Sequence, residues 1–324
     1  MESPSVSASR KRVLGTVLGL IGLPGVLALG EAVSFYAVNR SNGSIVSSGL
    51  KREYLLYVPR SYDRAKPTPL VISLHGAGLW GAAQKEISQW NSVADQHGFI
   101  VVYPSGVKRG PRIWEADHGP DVLRDVRFIA ELIDTLAARY HIDPTRIYAN
   151  GLSNGGGMAF ALSCTLSDRI AAIGVVAPAL FLPWSWCTDQ RAVPMIAFHG
   201  TADRATPYHG GASWVARRPF PDIPTWVAGW ARRNRCAPDP IDSVVAADVT
   251  RRWYAHCADD AAVVLYTVHG GGHTWPGGGR LPEWFVGPTS RSLDASSEMW
   301  TLFRRYQLRV PLTTVVPAPA GEPK

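Results

Sequence analysis

The chain has 324 residues, of which 46% are hydrophobic; it carries twelve tryptophans and a formal net charge of +7. Length and apolar content suit one large α/β domain, or two small ones, around a sizeable core. The basic residues are dispersed, with short clusters at Arg217-Arg218, Arg232-Arg233-Arg235 and Arg251-Arg252, which excludes a nucleic-acid-binding arm.

The first element is an uncharged apolar run from Val13 to Gly30 behind Ser9-Arg10-Lys11-Arg12. A positive flank before an apolar stretch is the layout of an export signal. Its roughly 18 residues would span about 27 Å as a helix, close to a membrane thickness. Ala28-Leu29-Gly30 offers a small-residue cleavage site. Residues 1–38 thus read as an export signal or a single membrane anchor, with everything after them outside the cytoplasm. Membrane contact is expected through this segment alone, and no nucleic-acid partner is expected. Residues 39–49 are polar and Gly/Ser-rich, the composition of a linker. Residues 50–310 read as the folded domain, and 311–324, rich in Pro and Ala, as a flexible tail.

Within the domain, strand and helix signals alternate. Glu53–Pro59, Leu70–His75 and Phe99–Tyr103 are apolar, β-branched runs of strand type. Gln84–His97 has helical spacing, and Asp121–Tyr140 repeats apolar residues every three or four positions, the clearest helix of the chain. Asp143-Pro144 predicts a turn, Arg146–Asn150 a strand and Asn154–Leu166 a helix. Ala171–Val176 and Val193–Phe198 follow as strands, then Thr225–Arg235 as a helix. Val249–Tyr254 and Ala262–Val268 are strand-like, and Leu293–Tyr306 closes with a helix. Such alternation predicts an α/β fold with a mostly parallel central sheet and helices on both faces.

Gly151-Leu152-Ser153-Asn154-Gly155 falls where a strand meets a helix. G-x-S-x-G at that junction is the nucleophile elbow, a turn so sharp that the positions two before and two after the serine must be small. Ser153 is the candidate nucleophile, and the N–H of Asn154 a candidate oxyanion donor. The loop Leu74-His75-Gly76-Ala77-Gly78 follows an earlier strand and would give the second donor, the N–H of Ala77, with Gly76 or Gly78 as sharers. His75 precedes the loop and reads as structural. Asp203 ends Phe198-His199-Gly200-Thr201-Ala202-Asp203 just past a strand, a position from which a carboxylate orients a histidine. Asp222, Asp259 and Asp260 compete with it, but none follows a strand so closely.

The segment from His269 to Gly279 follows the last strand and offers two histidines. His273, out in the glycine-rich loop, is the candidate general base; His269 abuts the strand. Their spacing also suits a zinc pair on a helix, but three intervening glycines argue against a helix and hence against a metal. The order Ser153, Asp203, His273 is that of the α/β-hydrolases. It predicts a serine mechanism with an acyl-enzyme and no metal or organic cofactor.

These motifs, with the closing Leu293–Tyr306 helix, resemble the esterases grouped with poly(3-hydroxybutyrate) depolymerases and the feruloyl and acetylxylan esterases. The resemblance covers Leu50 to Tyr306. It implies an exported serine ester hydrolase, extracellular or at the cell surface, with Ser153, Asp203 and His273 as its triad. The expected substrates are short-chain 3-hydroxybutyrate-type polyesters or plant-type feruloyl and acetyl esters. Ala77 stands where many relatives carry cysteine. Polymer depolymerases often add a linker and a binding domain, whereas a short tail follows here, which argues against attack on solid polyester. A serine peptidase on the same fold and a non-catalytic surface-binding protein are the rival readings.

Trp275 beside His273 and Trp80 after the Ala77 loop are candidates to line a substrate pocket, with Trp114, Trp184 and Trp186 as further loop tryptophans. Ordinary packing is the alternative for each. The four cysteines, Cys164, Cys187, Cys236 and Cys257, lack C-x-x-C spacing and allow three disulfide connectivities in an exported chain. The sequential pairing, Cys164 with Cys187 and Cys236 with Cys257, is the one expected.

Overall fold

The computed structural model describes residues 40–108, 112–117, 120–188, 191–279 and 281–309. The apolar segment 13–30 and the tail 311–324 lie outside the described residues. In chain order the described elements begin with strands β1 (Gly43–Ser47), β2 (Leu50–Tyr57) and β3 (Thr68–Leu74) and helices α1 (Gly81–Ser88) and α2 (Trp90–His97). Next come β4 (Ile100–Pro104), the short pair β5 (Val107–Lys108) and β6 (Arg112–Ile113), α3 (Pro120–Ala137), β7 (Ile142–Leu152), α4 (Asn154–Thr165), β8 (Ala172–Val176) and β9 (Met195–Gly200). A hairpin of β10 (Gly211–Ser213) and β11 (Ala216–Phe220) precedes α5 (Ile223–Arg233), β12 (Ile241–Ala246), β13 (Val249–Tyr254) and β14 (Val263–Val268). The short α6 (Glu283–Val286) and α7 (Ala295–Phe303) complete the set.

Ten strands form one sheet in the order β1-β2-β4-β3-β7-β8-β9-β14-β13-β12. The six from β4 to β14 are mutually parallel, and antiparallel pairs extend both edges. Strand alternation sends Leu70, Ile72 and Leu74 of β3 to one face and Val71 to the other. The first face packs α3, α4 and α5; the second packs α1, α2 and α7. Burial on both faces is why the central strands read as continuous apolar runs rather than alternating ones.

Three expectations are corrected. Part of the 39–49 linker is strand β1, whose Gly43–Ser47 pairs with Tyr54–Leu50 of β2. Composition misled here because an edge strand needs only one buried face. The helix expected over Gln84–His97 is two, broken at Gln89, which adopts φ 56° and ψ 22°. The Asp143-Pro144 turn is absorbed into β7, whose register with β3 shifts between the Thr68–Ile142 and Leu70–Ile147 pairs.

Both expected disulfides form: Cys164–Cys187 and Cys236–Cys257. Among the described residues no helix is long and apolar enough to cross a membrane. A buried ion pair escaped the sequence reading: Arg52 meets Asp125 at 2.7 Å, with its guanidinium 3.9 Å above the Phe128 ring.

Candidate active site

The elbow geometry begins at β7. Ser153 adopts φ 55° and ψ −119°, a conformation that L side chains rarely take. Its N–H donates to the Val176 carbonyl of β8 at 2.9 Å, and its carbonyl accepts from Gly157 and Ala179. Two glycines make the turn possible. A Cβ on Gly151 would run into the backbone of Gly155, and one on Gly155 into the carbonyls of Leu74 and His75. Gly157, one turn on, packs as tightly against the Ala179 carbonyl. The glycines are thus contact points between backbones.

The Leu74–Gly78 loop lies against the serine: a Cβ on Gly76 would sit 3.5 Å from that of Ser153. Ala77 is exposed in this loop. The Gly78 N–H is donated to the Arg112 carbonyl at 2.8 Å, which takes Gly78 out of the set of free donors. His75 is structural, as expected. Its Nδ1–H donates to the Gly76 carbonyl at 2.7 Å and its Nε2 accepts from Gly106 N–H at 2.9 Å. Burial pushes its pKa down to about 4, so the ring stays neutral in this tautomer. Trp114 clamps the elbow from above. Its N–H donates to Asn154 Oδ1 at 2.7 Å, its carbonyl accepts from Asn154 Nδ2 at 2.9 Å, and its indole N–H donates to the His75 carbonyl at 3.0 Å. One tryptophan therefore ties both expected oxyanion segments together, a role in framing rather than lining.

Asp203 and His273 meet as expected: His273 Nδ1–H donates to Asp203 Oδ2 at 2.8 Å. The aspartate is buried, and its Oδ1 accepts from the N–H groups of Ala205 and Thr206, both at 2.8 Å. Burial works against its charge, but hydrogen bonds from His199 and His273 outweigh it and hold the carboxyl well below the usual range. His199 Nε2 lies 3.4 Å from Oδ2 and donates to the Thr206 carbonyl at 2.6 Å. Thr206 is the group that sequence reasoning missed. Its hydroxyl lies 2.9 Å from Asp203 Oδ2, 3.2 Å from His273 Nδ1 and 3.2 Å from the Ala177 carbonyl. The competitors go elsewhere: Asp222 caps α5 through Thr225, Asp259 accepts from Ala192 N–H, and His269 meets the Thr250 hydroxyl.

The loop carrying His273 is glycine-rich because it threads between backbones. A Cβ on Gly272 would strike the Val286 carbonyl, which itself accepts the His273 N–H at 2.6 Å. Trp275 and Trp80 are corrections. They are 1% and 5% exposed, so neither offers a ring face to a ligand in a solvent-open pocket. Trp184 likewise packs against Phe160, Trp226 and Trp230. Trp275 heads a buried chain of hydrogen bonds instead. Its indole N–H donates to Ser296 Oγ, Ser296 to the Ser88 carbonyl, and Ser88 to the Gln84 carbonyl. Gln84 Nε2 donates to Ser73 Oγ, and Ser73 to Asn150 Oδ1, three residues before Ser153. The chain joins the His273 loop to the elbow through the interior.

The parallel sheet with helices on both faces, a serine elbow on its carboxyl edge and a histidine–aspartate pair beside it define the α/β-hydrolase class. The acetyl xylan esterase of Aspergillus awamori shares this fold with a TM-score of 0.55, covering 72% of this chain and 93% of its own at 15% identity. The family described as Esterase PHB depolymerase matches residues 52–227. The chain belongs to that family and is a carboxylic ester hydrolase. Among its relatives, the NocK protein of Nocardia uniformis subsp. tsuyamanensis, named as an esterase, is 31% identical over 78% of this chain and 79% of its own. Feruloyl esterase B of Piromyces equi is 31% identical over 72% of this chain; the match spans 45% of that longer protein.

Proposed function

We propose that the protein is an exported serine esterase that removes acetyl or feruloyl groups from polysaccharide, with Ser153, His273 and Asp203 as its triad. His273 takes the Ser153 proton as Oγ attacks the ester carbonyl. Asp203 holds the imidazole through Nδ1 and stabilises the cation that forms. The N–H groups of Asn154 and Ala77 receive the oxyanion, and Trp114 sets their spacing. Collapse of the tetrahedral intermediate expels the sugar alcohol, protonated by His273, and leaves an acyl-serine. Water, activated by the same histidine, then releases the acid. The carrying observation is the 2.8 Å His273–Asp203 hydrogen bond on the same carboxyl edge of the sheet as a serine held at φ 55°. The substrate class draws on the acetyl xylan and feruloyl esterases among the similar proteins. Export draws on the apolar run at 13–30 and on the two disulfides, which persist in oxidising compartments.

The test compares the purified full chain with Ser153→Ala on p-nitrophenyl acetate, methyl ferulate and acetylated xylan. Turnover is expected from the parent and a fall of at least about a thousandfold in the variant. Equal rates, or no turnover by a folded parent, overturn the proposal.

A further inference from the structure

Three large aromatic side chains stand in solvent beside the candidate site. Trp214 is 64% exposed, Trp284 88% and Phe285 54%. They touch one another: the Trp214 and Phe285 ring centres lie 5.3 Å apart, and those of Trp284 and Phe285 5.7 Å apart. Two distant stretches of chain bring them together, the tip of the β10–β11 hairpin and the short helix α6. Scattered exposed apolar residues are ordinary, but a contiguous aromatic group marks a contact surface. Both stretches are fastened to the site. The α6 residue Val286 accepts the His273 N–H, and Ser213 Oγ at the hairpin donates to the Ala205 carbonyl at 2.6 Å, two residues past Asp203. At the hairpin base, Phe220 packs on Phe181, two residues after the Ala179 that bonds Ser153.

We infer that Trp214, Trp284 and Phe285 form a platform that binds the sugar rings of the polysaccharide bearing the scissile ester; this rests on the esterase proposal above. Rings this open cannot enclose a small acyl group, so the acyl end of a substrate gains little from them. A polymer that continues past the ester gains much more. The apolar C–H face of a pyranose lies flat on an indole while its hydroxyls stay in water, which suits rings that remain half in solvent. The three ring planes are inclined by 62° and 57°, so they do not make one flat surface. That arrangement suits a twisted chain of sugars rather than a flat solid or a membrane. Glu283, exposed in the same turn as Trp284, supplies an acceptor for hydroxyls.

The test separates binding from turnover. In the Ser153→Ala background, depletion onto insoluble acetylated xylan is compared with and without Trp214→Ala plus Trp284→Ala. Both tryptophans are exposed, so folding is not at stake, and circular dichroism checks it. The double change is expected to weaken xylan binding about tenfold. In the active background it should raise the half-saturating xylan concentration to a similar extent and leave kcat/KM on p-nitrophenyl acetate within about twofold. Unchanged xylan binding overturns the platform and leaves the esterase reading standing. So does an equal loss of binding to polyester film or phosphatidylcholine vesicles, or a loss traced to self-association. Absence of any ester turnover by the parent overturns the esterase reading alone, because the depletion assay needs no catalysis.

Discussion

At the scale of single residues, the motifs point to the proposed reactive groups and conceal what holds them. Ser153, Asp203 and His273, the proposed triad, stand out in the sequence because each follows a strand whose carboxyl end lies on the same sheet edge. Thr206 does not, since a threonine three residues past an aspartate is common in any loop. Yet its hydroxyl touches Asp203, His273 and the Ala177 carbonyl at once. Thr206→Val keeps the shape and removes the hydroxyl. It should lower kcat on p-nitrophenyl acetate by about tenfold to a hundredfold, the worth of a hydrogen bond to a charged group. Thr206→Ser should recover most of the loss. Equal rates for all three proteins would show that the backbone N–H groups of Ala205 and Thr206 suffice to aim the carboxylate. Trp275 and Trp80 show the opposite error. Their proximity to the motifs suggested a pocket, but a tryptophan beside a glycine-rich loop has a second use, filling the space that the glycines leave.

At the scale of elements, the central strands and the α3 helix were readable because burial dictates their pattern. The failures are elements whose neighbours decide. Strand β1 is polar on one side and exists through its pairing with β2. Strand β12 is another edge, exposed along most of its length, and left no apolar run to find. Gln84–His97 had the right period, but a residue at φ 56° is invisible to periodicity. The Cys236–Cys257 bridge links the end of α5 to the end of β13, across a loop of 21 residues. In the chain-entropy account, closing such a loop stabilises the fold by about 3 kcal/mol. Cys236→Ser with Cys257→Ser should therefore lower the urea midpoint by about 1 M or more. An unchanged midpoint would mean that the helix and strand hold each other without it.

At the scale of the whole molecule, acid should act through two groups with the same sign. His75 is held near pKa 4 by burial, below its unfolded value of about 6.5. Its neutral form is the one that fits, so the stability it contributes is complete above about pH 6.5 and drains away as pH falls toward 4. Asp203 is also depressed, so its contribution persists further down and is lost only at stronger acid. Unfolding free energy should thus drop by about 3 kcal/mol between about pH 7 and about pH 4 through His75. His75→Asn should flatten that slope while being less stable at neutral pH. Identical slopes would place the acid sensitivity elsewhere. The buried chain from Trp275 to Asn150 stands outside this chemistry. Every donor in it points the same way, from the histidine loop toward the elbow, and none of its members titrates. The two indole N–H groups at its ends can only donate, Trp275 to Ser296 and Trp90 to Asn150 Oδ1. Acid can therefore loosen the Asp203 side of the site and the Leu74–Gly78 loop while the spacing between the His273 loop and the elbow stays keyed by groups that do not titrate.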